Sequence, residues 1–231
     1  MAIMGVNLPE RNSNTMRITP YGSRSVAKTA IFCSTAFIAG VLFPQPGGAV
    51  VSATALLFLG FTLYFYRDPE RSLPDEPGII IAPADGKILL NQTVDHPMTG
   101  PGSTLVSIFM SPFNVHVNRI PIDGQVLDIR YHPGKFLMAF DHRSMSDNER
   151  MEIGLDTPAG TVWFCQVSGF LARRIVCRLG KGEKVKAGNR FGMIKFGSRV
   201  DIYLPASVRV IAPVGMKTVA GETVLGRTSV N

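Results

Sequence analysis

Apolar and polar positions divide the 231-residue chain into two parts with different periods. Between Lys28 and Arg67 no charged residue occurs over 38 positions, and Pro44-Gln45-Pro46-Gly47-Gly48 splits this run into 29–43 and 49–66. As a helix the second piece is long enough to cross a hydrocarbon core of about 30 Å. The first approaches that length once Val26, Ala27 and a snorkelling Lys28 are added. A cleaved signal peptide fits poorly, because the leading segment is long and a second apolar run follows. A buried core hairpin is the competing reading. The flanking charges favour the membrane: Arg17, Arg24 and Lys28 precede the pair, Arg67 and Arg71 follow it, and the connection carries none. The positive-inside rule then places both ends, and everything after Arg67, in the cytoplasm, with Tyr64 and Tyr66 at the interface.

From Gly78 onward the period changes from helical to alternating. Short runs at 79–82, 86–90, 104–110, 124–131, 152–157, 160–167, 175–178, 184–186, 193–196, 200–204 and 207–211 are separated by Gly, Pro and Asp. Such spacing, near ten residues, predicts strands of an all-β barrel or sandwich. The expected fold is therefore mainly β, with a compact β barrel or sandwich preceded by an N-terminal membrane-associated α-helical hairpin. The chain divides into a polar segment 1–25, the hairpin 26–66, a proline-punctuated linker 67–77 and the β-rich part 78–231. Only 169–174 and the stretch before Asn148 suggest helix.

Charge narrows the partners. The net charge is +7, which suits an anionic membrane, an acidic substrate or nucleic acid. Nucleic acid fits least, because Lys and Arg are dispersed and Arg173-Arg174 is the only adjacent pair in the β-rich part. Cys33, Cys165 and Cys177 form no CxxC pair and read as free thiols in a reducing compartment. The histidines form no HxH or HxxxH pair, so no metal site is expected. P-loop, GxGxxG and GxSxG patterns are absent from the sequence. Two similar stretches, Ile81-Ala82-Pro83-Ala84-Asp85-Gly86-Lys87 and Ile211-Ala212-Pro213-Val214-Gly215-Met216-Lys217, together with 182–188, resemble the turns of a lipoyl or biotin carrier. That leaves a membrane-tethered β module without enzymatic activity as an alternative.

Four places carry candidate chemistry. His116, at the end of an apolar run and among Asn114, Asn118 and Arg119, reads either as a structural histidine or as a proton-transfer group. His96, His132 and His142 lie among turn residues and read as solvated. Asp85, in a Pro-Ala-Asp-Gly turn, is either an Asx-turn residue or a carboxylate that orients a base or polarises a serine. Asn148-Glu149-Arg150 closes a polar loop, either solvated or lining a site. Gly197-Ser198 interrupts two alternating runs. It is either a bulge or a self-cleavage point, where a hydroxyl attacks the preceding carbonyl and glycine leaves the approach open.

Taken together, Pro83-Ala84-Asp85-Gly86, Ser111-Pro112-x-x-x-His116, Asn148-Glu149-Arg150 and Phe191-Gly192-Met193-Ile194-Lys195-Phe196-Gly197-Ser198 resemble the phosphatidylserine decarboxylase proenzymes, in their short bacterial form. The resemblance covers residues from about 25 to 231. It implies self-cleavage between Gly197 and Ser198, giving a large chain 1–197 and a small chain 198–231 that remain together as a heterodimer. Ser198 becomes a covalent pyruvoyl group, which forms a Schiff base with the amine of phosphatidylserine and accepts electrons as CO2 leaves, yielding phosphatidylethanolamine. Decarboxylation of a related serine-bearing lipid is the neighbouring possibility. The resemblance also assigns Gly197 as the scissile carbonyl, His116 as the proton donor to the product carbanion and Asp85 as an aid to activating Ser198. Longer relatives carry a second histidine three places on, where this chain has Arg119. The expected location is the cell membrane, with the catalytic part on the cytoplasmic side of an anionic bilayer.

Overall fold

The computed structural model describes residues 17–43, 46–135, 147–169, 174–195 and 198–228. Helices α1 (Ser23–Leu42) and α2 (Pro46–Phe65) run side by side in opposite directions. Both start earlier than the apolar runs suggest. Proline is at home in the first turn of a helix, where its missing N–H has no partner to lose, so Pro46 opens α2 instead of ending the connection. Close approach explains the glycines: a Cβ on Gly48 would lie 2.0 Å from the Phe43 carbonyl oxygen, and one on Gly40 2.3 Å from Ser52 Oγ. Ile31, Phe32, Leu42, Phe43, Val50 and Leu57 remain exposed around the pair. Each helix is long and apolar enough to cross a membrane.

Strands β1 (Arg17–Ile18) and β2 (Arg67–Asp68) pair antiparallel across the base of the hairpin, so both its ends leave from one point. Then follow β3 (Ile79–Ile81), β4 (Gly86–His96), β5 (Gly100–Met110), β6 (Val117–Arg119), β7 (Gly124–His132), β8 (Arg150–Thr157) and β9 (Gly160–Val167). The last seven are β10 (Ile175–Cys177), β11 (Lys184–Val185), β12 (Arg190–Ile194), β13 (Ser198–Leu204), β14 (Val208–Val210), β15 (Lys217–Thr218) and β16 (Val224–Thr228). Eight of them form one sheet in the order β11-β7-β8-β9-β13-β5-β4-β15, and two three-stranded sheets, β10-β12-β6 and β14-β16-β3, complete the fold. Alternation sends Val200, Ile202, Leu204, Ile108, Phe164 and Ile153 into one shared core. The mainly β architecture with an N-terminal helical pair is thus the one the sequence pattern predicts.

β13 is a central strand, hydrogen-bonded to β5 along residues 198–204 and to β9 along 199–203. The two similar Ile-Ala-Pro stretches turn out to be partners. Lys217 lies opposite Lys87 and Thr218 opposite Gly86 in the β4–β15 pair. The Ala82 N–H donates to Thr223 O, and the Gly221 N–H donates to Ala82 O. Their likeness reflects two matching turns at a seam of the sheet. The expected helix at 169–174 lies largely, and that before Asn148 almost wholly, outside the described residues.

Candidate active site

Ser198 opens β13 opposite Met110, the last residue of β5, and is fully buried. Its Oγ–H donates to Met110 Sδ at 3.4 Å. Gly197, the expected scissile residue, lies outside the described residues. On the other side of β13, Arg199 pairs with Val167, so the next step of the register sets Ser168 opposite Ser198.

The chain leaving Met110 turns sharply before β6. Asn114 Oδ1 accepts from both the N–H and the Oγ of Ser111, at 2.9 and 2.8 Å, closing the Ser111-Pro112-Phe113-Asn114 turn. This turn delivers His116 into the interior, where it is fully buried. The Asn114 carbonyl can only accept, so His116 Nδ1–H donates to it at 2.9 Å and leaves Nε2 as the bare nitrogen. Among the described residues Nε2 meets no hydrogen-bond partner. Burial, with a smaller push from Arg67, lowers the His116 pKa to about 4, so the ring is a neutral acceptor at physiological pH. Phe65, the last residue of α2, packs on the ring with centroids 4.4 Å apart and planes 36° apart.

Asp85 follows a turn fixed by Thr218 Oγ1–H on Ala84 O and by the Arg119 N–H on Pro83 O. Its carboxylate accepts from Arg71 Nη2 at 3.1 and 2.8 Å and from the Ala220 N–H at 2.8 Å. Burial raises its pKa against these donors, and the Val115 N–H, one residue before His116, also favours the charged form. Through the Val115 N–H Asp85 supports the turn that carries His116, while Arg71 and Ala220 hold its carboxylate in place.

A buried polar set beside Ser198 escaped sequence reasoning. Asn118 Nδ2 faces Met110 Sδ at 3.7 Å, and Gln166 Nε2–H donates to Asn118 Oδ1 at 2.8 Å. Gln166 Oε1 and Ser168 Oγ, like His116 Nε2, are buried without a hydrogen-bond partner among the described residues. Burial of such atoms costs about 1–3 kcal/mol each, so Gln166 Oε1 and Ser168 Oγ, on the chain paired with the head of β13, are placed to meet another polar group. The one available signal was a glutamine inside the apolar run Val162-Trp163-Phe164-Cys165-Gln166-Val167. Of the Asn148-Glu149-Arg150 stretch, Asn148 Nδ2–H supports the Ser168 carbonyl at 2.8 Å, while Glu149 accepts from the Tyr131 hydroxyl. His96 departs from its solvated reading: it is half-buried, stacked 4.1 Å from the Tyr203 ring on the far face of the sheet. Among the described residues no cluster of three His, Cys, Asp or Glu side chains could hold a metal ion.

The phosphatidylserine decarboxylase family matches residues 58–226, which takes in Asp85, His116 and Ser198. A protein of Chlorobaculum tepidum named phosphatidylserine decarboxylase proenzyme is 71% identical over 213 residues, covering 92% of this chain and 99% of that one. The protein of the same name from Chlorobaculum parvum is 72% identical over 211 residues, covering 91% of this chain and 99% of its own. That of Prosthecochloris aestuarii is 57% identical over 207 residues, with 90% and 95% covered. With a match over most of its length and relatives at this identity, the chain belongs to the phosphatidylserine decarboxylase family.

Proposed function

We propose that this chain removes CO2 from phosphatidylserine to give phosphatidylethanolamine, as a carboxy-lyase that first cuts itself between Gly197 and Ser198. The observation that carries this reading is the setting of Ser198. It is a buried serine at the head of a central strand, joined through Met110 to a loop bearing a neutral histidine with a bare ring nitrogen. The relatives' name, proenzyme, supports cleavage into chains.

In the self-cleavage, Ser198 Oγ attacks the Gly197 carbonyl carbon and the C–N bond between the two residues breaks. The hydroxyl proton ends on the freed amine, and an ester joins the two residues. Loss of the Cα proton of residue 198 expels the Gly197 carboxylate and leaves dehydroalanine, which water converts to a pyruvoyl group with release of ammonia. The surroundings of residue 198 suit such a group: Ser168 Oγ can donate to a carbonyl oxygen, and Gln166 Oε1 can accept from an approaching amine. A pyruvoyl group there supplies a ketone for the substrate amine and an electron sink for the bond to CO2. The neutral His116 Nε2 takes the proton that the substrate ammonium must lose before it can react and, as a buried imidazolium of low pKa, returns it readily to the carbon that has lost CO2. Asp85 holds the turn that carries His116.

The large chain 1–197 and the small chain 198–231 stay together because β13 is hydrogen-bonded on both edges. The apolar hairpin lies in the membrane with its basic ends on the cytoplasmic side, where the lipid substrate arrives in the bilayer plane. The net charge of +7 suits an anionic surface. Intact-mass measurement of the purified active protein tests the reading. It should reveal a 34-residue fragment, residues 198–231, without a free N-terminal amine. Full decarboxylase activity in an uncut chain would overturn it.

A further inference from the structure

The turn that carries His116 rests on the end of the hairpin at several points. Tyr64 Oη and Arg67 Nη2 both donate to the Phe113 carbonyl, at 3.0 and 2.7 Å. Phe61 meets the Phe113 ring edge-on, with centroids 6.5 Å apart. Phe65, fully buried, lies on the His116 ring and clusters with Tyr66 and Met193. Met193 is opposite Val117, and the next residue, Ile194, donates its N–H to His116 O. His116 is therefore held at its ring by a residue of the membrane hairpin and at its carbonyl by the strand that precedes Ser198.

We propose that Phe65 is a positioning residue for His116, so that the seated hairpin fixes the plane of the imidazole, keeps water from Nε2, and forms a wall of the active site as well as an anchor. This rests on the reading of His116 as the proton-transfer group. An aromatic face against an imidazole supplies both apolar cover and orientation, whereas an aliphatic side chain of similar size supplies cover alone. The charged groups round the ring do not replace this role. Arg67 in β2 acts on the ring from the hairpin side and opposes its protonation. Asp85 lies behind the turn at Val115. Lys195 turns away to Ser25 Oγ and the Tyr66 ring.

The test compares the full-length protein with its Phe65→Ala and Phe65→Leu variants in lipid nanodiscs. Two readouts are followed across pH: decarboxylation rate, and deuterium exchange at the His116 ring carbon Cε1, which reports ring protonation and water access without any need for activity. The wild-type ring should begin to protonate only near pH 4. In Phe65→Ala the transition should move toward the ordinary histidine value of about 6.5, so the rate at pH 5.5 relative to pH 8 falls by about tenfold. Phe65→Leu should keep the wild-type pH transition while losing rate at every pH. If Phe65→Ala does not fold, Phe65→Leu still decides through its rate and its ring exchange. Wild-type rate and exchange profiles in the folded variants would overturn the proposal. His116→Ala separates the two layers: decarboxylation surviving in that variant sinks the reading of His116 itself, whereas its loss alongside unchanged Phe65 variants sinks only the role of Phe65.

Discussion

Arg71 Nη2 reaches both carboxylate oxygens of Asp85, at 3.1 and 2.8 Å, and so pins the linker that leaves the hairpin to the turn beneath His116. Neither side chain is more than 14% exposed. Arg71→Ala leaves a buried carboxylate without its cation, and the expected loss is about 1–3 kcal/mol of stability together with slower self-cleavage at pH 7. Arg71→Lys should recover only part, because an ammonium lacks the rigid guanidinium fork. Thermal unfolding in detergent and the time course of the 198–231 fragment read the two effects. Wild-type behaviour in Arg71→Ala would show that the pair does not support the site.

Burial of His116 also sets a pH dependence of stability. Its pKa is lowered from the ordinary 6.5 to about 4 in the folded state, so the unfolded chain binds the proton more tightly. Folding stability from this residue is complete above pH 6.5 and is lost as pH falls toward 4, in total about 3 kcal/mol. His116→Gln, which cannot titrate, should lose about 2–3 kcal/mol less than wild type between pH 7.5 and 4.5. Equal acid sensitivity of the two proteins in denaturant melts would contradict a buried neutral ring.

Arg119 stands where longer relatives have a second histidine, yet it acts as a clamp. Its Nη1–H donates to Gly188 O at 2.9 Å, and its Nη2–H donates to Pro69 O at 3.0 Å beside Asp68. Asp68 also accepts from Arg190 at 2.7 Å, so it keeps a cation when Arg119 is removed. Arg119→Ala is expected to cost about 1–3 kcal/mol while the folded fraction still cuts itself and decarboxylates. A loss of about a hundredfold or more in correctly folded protein, the scale of proton-transfer catalysis, would make Arg119 catalytic instead.

The proposed membrane topology is open to a labelling test. Gln45→Cys places a thiol in the connection between α1 and α2, and the native thiols can be changed to serine beforehand. A membrane-impermeant maleimide added outside intact cells should label it if the connection faces away from the cytoplasm. Labelling only after the cells are opened would reverse the orientation.

The β-rich fold was legible because each short alternating run buries one face, and the turns between runs carry Gly, Pro and Asp. The hairpin was legible from charge alone. What the sequence could not reveal is what depends on register and docking. Gln166 and Ser168 come beside Ser198 only through the β9–β13 pairing, and a lone glutamine in an apolar strand gives no hint of its neighbour. Phe65 reads as one more apolar residue of a membrane helix, because nothing local says that the helix ends on a histidine some 50 positions later. His96 reads as solvated from its turn-like neighbours, while its partner Tyr203 lies over a hundred residues away. Asp85 reads from the sequence as a candidate carboxylate, but its partner Arg71 sits in a proline-punctuated linker, where a charge ordinarily reads as solvated.

Ser198→Ala tests the central claim most directly, read by intact mass and by CO2 release from phosphatidylserine vesicles. Alanine lacks the attacking oxygen and fits the same buried strand position, so the account predicts a folded, uncut 231-residue chain with no decarboxylase activity. A Ser198→Ala protein that is still cut after residue 197, or that still releases CO2, would contradict it.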